Sequence, residues 1–189
     1  GFITSAAETE GLMEIALEHQ VPVLAHSFAD ASAHIRAARE AGAKTIVQVQ
    51  SVAQARAAAA AGADVIAAQG MEAGGHTGMA NAVLPLVPSV IDAVGGVPVV
   101  AAGGIADGRG VAAVLMLGAE GAWLGTRFVA SLEATTAGWI KQQIVDAAGE
   151  DLAVHAEDVD GQLHHISVVL GPVHLVGGAE GGDAEVLLV

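Results

Sequence analysis

The sequence predicts an α/β protein built on a parallel sheet, because short apolar runs alternate with stretches of helical periodicity and one helix-to-strand turn recurs. The apolar runs fall at 21–25, 45–49, 65–68, 98–102 and 121–124, and each is too short and too apolar to be half exposed. The recurring turn is Ala41-Gly42-Ala43 followed by Ala61-Gly62-Ala63, twenty residues on.

Each element has a local reason. Residues 8–19 place Leu12, Ile15, Ala16 and His19 at helical spacing and feed the first run. Residues 30–41 form the next helix, stopped by Gly42, and 45–49 the next strand. Ser51 can cap an alanine-rich helix to Ala61, and Gly62 can end it in the left-handed conformation.

Residues 69–82 hold four glycines and little periodicity, so a long loop is expected beyond a strand end. The alternation resumes with helices at 87–94 and 108–117. Residues 132–148 are expected to add a helix with Trp139, Ile140 and Ile144 inward. After about Glu150 the texture changes; 166–170 and 186–189 read as candidate strands, without another strand-helix unit.

A chain of 189 residues can build one sizeable domain, though a closed eight-stranded barrel takes about 250. Apolar residues make up 53%, against 15% charged, which predicts a buried core rather than disorder. The formal charge of −14, with no basic run, repels a nucleic-acid backbone. Without cysteine there is no disulfide, thiol nucleophile or thiolate metal site. A signal peptide and a spanning apolar run are not seen, so a soluble cytoplasmic protein with no membrane partner is expected.

In parallel α/β sheets ligands bind beyond the carboxyl ends of the strands, so chemistry is sought in the loops after Ala25, Val49, Ala68, Ala102 and Leu124. The richest is Gly70-Met71-Glu72-Ala73-Gly74-Gly75-His76-Thr77-Gly78. Paired glycines let backbone amides approach an anion or ring, and a histidine beside them can take a proton near neutral pH. His76 can equally bond only a backbone carbonyl, and Glu72 can be an acid or a cap.

Gly103 and Gly104 leave a strand toward a helix that Asp107 would cap, a geometry that offers amides to phosphate. Arg109 fits a surface role better than a phosphate contact. Gly125 and Thr126 can reach the same phosphate, while Phe128 is expected in the core and Arg127 in an ion pair such as one with Glu133. Gln69 suits the edge of a heterocycle, and Gln50 is a better candidate than Gln48 for reaching the site. His26, Ser27 and Phe28 close the first strand within reach of a ligand; His155, His164, His165 and His174 match no compact metal pattern.

The segments 63–70 with 72–78, then 98–110, then 118–128 resemble the nitronate monooxygenase family, formerly 2-nitropropane dioxygenases, in order and spacing as well as residues. The resemblance runs from about Val21 to Asp158. It implies a partial TIM (β/α)8 barrel of five parallel βα units over 1–160, followed by a divergent tail over 161–189. Three family strands that precede the segment like 21–25 are not matched, and a truncated or frame-shifted reading frame would account for both ends.

The resemblance further implies FMN as cofactor and His76 as the base or substrate-orienting group. Gln69, Gly74 and Gly75 would lie at the flavin, and Gly103, Gly104, Gly125 and Thr126 would hold its phosphate. The implied reaction oxidises an alkyl nitronate, or a nitroalkane, with O2 to a carbonyl compound and nitrite. An FMN-dependent enoyl-thioester reductase and a catalytically silent barrel fragment are the alternatives. An open sheet edge would favour association with another copy of the chain.

Overall fold

The computed structural model describes residues 1–5, 9–78 and 81–147, together with the backbone of two strands at 153–158 and 163–168. Strands β1 (Phe2–Ile3), β2 (Val23–Ser27), β3 (Lys44–Val49), β4 (Val65–Gln69), β5 (Val99–Ala102) and β6 (Gly121–Trp123) form one parallel sheet in chain order. The helices between them are α1 (Thr9–Glu18), α2 (Ser32–Glu40), α3 (Val52–Ala61), α4 (Val83–Ala93) and α5 (Gly108–Met116). Short α6 (Thr126–Val129) and α7 (Gly138–Asp146) follow.

Strand order that never reverses identifies barrel winding rather than a doubly wound sheet. With right-handed crossovers every connecting helix falls on the same face; accordingly α2 packs on α3 and α3 on α4, each lying against its own strands. Side chains alternate along the strands: Val47, Val49, Ile66, Ala68, Val99 and Ala101 enter the core beneath the helices. Their neighbours Ile46, Ala67 and Val100 pack with Ala25, Val65 and Trp123 on the opposite, barrel-interior face.

All five expected strands are present, and a sixth precedes them. Phe2 and Ile3 pair in parallel with His26 and Ser27, a segment of two residues that periodicity does not detect. The helix-to-strand turn is used three times. Gly42, Gly62 and Gly118 have φ of 81°, 94° and 96°. The following alanine amide then donates to a carbonyl five residues back: Ala43 to Ala38 at 2.9 Å, Ala63 to Ala58 at 3.0 Å, and Ala119 to Val114 at 3.1 Å. The third copy, Leu117-Gly118-Ala119, lacks the leading alanine that marks the other two.

Other expectations are corrected in detail. Helix α4 begins four residues before Val87, since Pro85 sits in its first turn, where no amide needs an intrahelical partner. Residues 132–148 yield only α7, and Trp139 is 66% exposed while Ile144 is buried. Phe128, expected in the core, is 42% exposed. Strands β7 (Ala153–Asp158) and β8 (Leu163–Val168) pair antiparallel, so the candidate strand at 166–170 is displaced to 163–168. The candidate strand at 186–189, His174, and the side chains of His155, His164 and His165 lie outside what the structure describes.

Candidate functional site

The carboxyl ends of β3 to β6 converge on an open cleft of about 290 Å³, near the lower bound of the ~300–1,000 Å³ usual for small-molecule sites. Four stretches of chain form its wall: Phe28 after β2, the loop from Gln69 to His76, residues 102–106 after β5, and 123–127 after β6. Gln48 forms part of the floor, and Ile144 of α7 reaches the rim. Four of the five loops singled out from the sequence thus meet at one place; the loop after Val49 does not line the cleft, and Gly75 turns the His76 loop at φ +78° without lining it.

The His76 loop is anchored at both ends. Gln69, 6% exposed at the end of β4, donates its Nε2 to the His76 carbonyl at 3.0 Å. The Gly70 amide donates to the Ala102 carbonyl of β5 at 2.8 Å, and Met71 N to Asn81 O at 2.8 Å. Both Glu72 carboxylate oxygens accept the Val83 amide, at 3.0 and 2.9 Å, in the first turn of α4. Ala82, at the cap position, offers no side-chain acceptor, so Glu72 supplies the cap from outside the helix. That settles Glu72 as a cap.

The His76 ring lies 6.0 Å from the Phe28 ring, tilted by 57°. Phe28 holds φ at +63°, in the left-handed region that an aromatic residue rarely occupies. The strain sits at the cleft wall, where it aims the ring across the end of β2 toward the histidine.

Opposite, Gly103 and Gly104 have φ of +104° and +67°. A Cβ on Gly103 would sit 3.0 Å from both Ala73 N and Gly70 O, and one on Gly104 3.2 Å from the Glu72 Cβ. The β5 loop and the His76 loop therefore interlock only because these two positions lack side chains. At Gly125 a Cβ would meet nothing within 4 Å among the described residues; it would project into open space at a residue that lines the cleft.

Asp107 caps α5 as expected, accepting the Arg109 amide at 2.9 Å and the Gly110 amide at 3.4 Å. The Arg109 guanidinium, with these two amides, holds the Asp107 carboxyl at about 2. Arg109 is committed to that pair with its side chain 82% exposed, which bears out its surface role. Asp107 occupies the Arg109 and Gly110 amides at the start of α5, which leaves the strand-end loops at 103–106 and 125–127, on the cleft wall, better placed to meet an anion. Arg127 lines the cleft instead of pairing with Glu133.

Two further assignments change. Gln48, not Gln50, lines the cleft; Gln50 is 5% exposed and donates Nε2 to Gln69 Oε1 at 2.9 Å behind the wall. His26 points to the helix side of β2, where it is 1% exposed and stacks between Phe2 at 5.6 Å and His34 at 5.3 Å. Ser27 donates Oγ to the Phe2 carbonyl at 3.1 Å. Only Phe28 of that trio reaches the cleft. The tilt of Phe28 and the Gln50–Gln69 bond depend on contacts between loops far apart in sequence, and no local pattern signals them.

Among the described residues no group of three metal-ligating side chains is assembled, and no helix is long and apolar enough to cross a membrane.

Comparison with known proteins agrees with this geometry. The family model described as nitronate monooxygenase matches residues 3–166. A Mycobacterium tuberculosis protein named (3aS,4S,5R,7aS)-5-hydroxy-7a-methyl-1-oxo-octahydro-1H-indene-4-carboxyl-CoA dehydrogenase is 40% identical over 163 residues, covering 85% of this chain and 45% of its own. A Neurospora crassa nitronate monooxygenase is 47% identical over 119 residues, 59% of this chain and 32% of its own. Among solved structures, FabK from Thermotoga maritima superposes with a TM-score of 0.81 at 39% identity, over 89% of this chain and 52% of that one. The chain therefore spans about half the length of the relatives it matches, or less.

Proposed function

Because this chain belongs to the nitronate monooxygenase family, we propose that its cleft is the catalytic face of an FMN-dependent oxidoreductase. The reaction we assign converts alkyl nitronates with O2 to a carbonyl compound and nitrite. One observation carries the reading: the His76 loop and two glycine-lined strand ends, separate in sequence, meet around a single cleft.

The residues suit the cofactor. A phosphate needs amides it can approach closely, and the open space over Gly125 is a cradle that a Cβ would fill. On this reading Gly103, Gly104, Gly125 and Thr126 hold the phosphate, with Arg127 the cation nearest to hand. Gln69 and Gly74 meet the ring. Bound FMN supplies the electron-carrying chemistry that no side chain provides.

His76 holds the nitronate anion or takes the proton from the α-carbon of a neutral nitroalkane. Its carbonyl is fixed by Gln69, so the ring hangs from an immobilised segment of backbone. Phe28 closes the side of the cleft beside it and limits the access of water.

The test is an FMN titration of the folded chain, followed by nitronate-dependent oxygen uptake. His76→Ala is expected to lower turnover by about 10²–10⁴-fold with FMN affinity unchanged, because the Gln69 bond is to the backbone of residue 76. A compact chain that fails to bind FMN, or an alanine variant with full turnover, overturns the proposal.

A second reading is favoured by the FabK likeness and the relative named as a CoA dehydrogenase: redox chemistry on a thioester in the same cleft. Rapid FMN reduction by NAD(P)H with an enoyl-thioester as acceptor would select it over nitronate oxidation.

A further inference from the structure

Gln50 lies just beyond the end of β3 and does not line the cleft, yet it is held from three sides. Its amide donates to Gln54 Oε1 at 2.7 Å, and its carbonyl accepts Asn81 Nδ2 at 2.9 Å. Its stem packs so closely on Gly78 that a Cβ there would lie 2.7 Å from Gln50 Cγ. From this clamp Gln50 Nε2 donates to Gln69 Oε1 at 2.9 Å, and Gln69 Nε2 donates to the His76 carbonyl at 3.0 Å.

The sense of this relay is fixed by chemistry. A backbone carbonyl only accepts, so Gln69 must turn its NH2 group to His76 O. Its oxygen then faces β3 and needs a donor, in a pocket where an unmatched polar atom costs about 1–3 kcal/mol. Gln50 is that donor. With both ends matched, Gln69 keeps one N–H and one oxygen lone pair uncommitted, at a residue that lines the cleft.

We propose that Gln50 is a positioning residue: it fixes the polarity of the Gln69 amide, and through it the His76 backbone and the hydrogen-bonding face offered to a bound flavin ring. The flavin part rests on the function proposed above; the polarity of the Gln50–Gln69–His76 relay does not.

Two substitutions separate polarity from bulk. Gln50→Met keeps the length and removes the donor. Gln50→Glu places an ionised, acceptor-only group against Gln69 Oε1, so no orientation of Gln69 can satisfy both Glu at 50 and His76 O. Riboflavin is the probe, since it carries no phosphate for the new carboxylate to repel.

At pH 8 riboflavin affinity is expected to fall about threefold in Gln50→Met and about tenfold or more in Gln50→Glu, the scale of one mismatched buried hydrogen bond. As the pH is lowered and the carboxyl gains a donating O–H, Gln50→Glu should recover toward wild type measured at the same pH, while Gln50→Met should not. In parallel, the Gln69 side-chain amide signals in nitrogen–proton NMR spectra of the flavin-free protein should shift in both variants, and only the glutamate variant should revert in acid.

Wild-type affinity with an unshifted Gln69 signal in Gln50→Glu overturns the proposal. So does an equal, pH-independent loss in both variants, which would mean that Gln50 only fills space. If wild type binds no flavin but the Gln69 signals respond as described, the relay stands and the flavin reading falls.

Discussion

Replacing His26 by phenylalanine should make the protein's stability less sensitive to acid. His26 is 1% exposed between the Phe2 and His34 rings, its Nε2 has no hydrogen-bond partner among the described residues, and its Nδ1 lies 3.5 Å from Thr4 Oγ1. Burial, then charge on His34, then the Gly1 amino group push its pKa from 6.5 down to about 4. Glu10, 3.8 Å from His34 Nε2, is the nearest carboxylate of the cluster and faces His34.

Between those two pKa values the unfolded chain binds a proton that the folded chain refuses. The contribution of a neutral His26 is therefore full above about pH 6.5 and is lost as the pH falls toward 4. At about 1.4 kcal/mol per pH unit the ceiling is about 3 kcal/mol, and water reaching half-buried His34 and Phe2 lowers the working figure to about 2 kcal/mol. Phenylalanine preserves the stacking without the titration. Urea unfolding followed by tryptophan fluorescence, from pH 7.5 to 4.5, should show wild type losing about 2 kcal/mol more than His26→Phe. Parallel curves for the two proteins would refute the assignment of acid sensitivity to His26.

Two other substitutions test how the cleft is held. Gly103→Ala adds a Cβ at φ +104° and 3.0 Å from two backbone atoms; it should cost about 1–3 kcal/mol of unfolding free energy and weaken FMN binding, and an unchanged midpoint with unchanged affinity would count against the interlocked loops. Glu72→Ala removes the cap on the Val83 amide and should cost about 1 kcal/mol, with hydrogen exchange accelerated first in the initial turn of α4; uniform exchange across the molecule would show that Glu72 does not act there.

The parts legible in the sequence are those decided by local chemistry. Ser51 accepts the Gln54 amide at 3.3 Å, Gly62 closes its helix, and Asp107 caps α5, each through contacts within a few residues. The strand-end loops could also be placed, because chain direction in a parallel sheet puts all carboxyl ends on one rim. Contacts between distant segments were not legible. Gln48 and Gln50 share one parity along β3, so the alternation of apolar residues cannot separate them; Gln50 is drawn out of the cleft by its bond to Gln69 on the neighbouring strand, a contact between distant segments. Trp139 misled because helical spacing marks a stripe without saying whether a partner covers it. Strand β1, two residues long, gives no period to detect and exists through pairing with β2.

Net charge bears on how an anionic cofactor would be held. A chain of −14 repels a phosphate at long range, and Glu72 stands among the residues lining the cleft. Both Glu72 oxygens, however, accept the Val83 amide at the positive end of α4, and Asp107 is matched by Arg109 and two amides. The acidic groups nearest the glycine strand ends are thus neutralised by helix termini before a ligand arrives. What faces the cleft between β5 and β6 is then backbone at Gly103, Gly104 and Gly125, with Arg127 the single Lys or Arg side chain on the wall among the described residues. Attraction at this site is short-ranged: it acts only on an anion that has already come within hydrogen-bonding distance of the glycines, and it leaves the surface field to exclude polyanions. On the function proposed above, that division between a repulsive exterior and a locally matched pocket would favour a small phosphate ester over a polyanion.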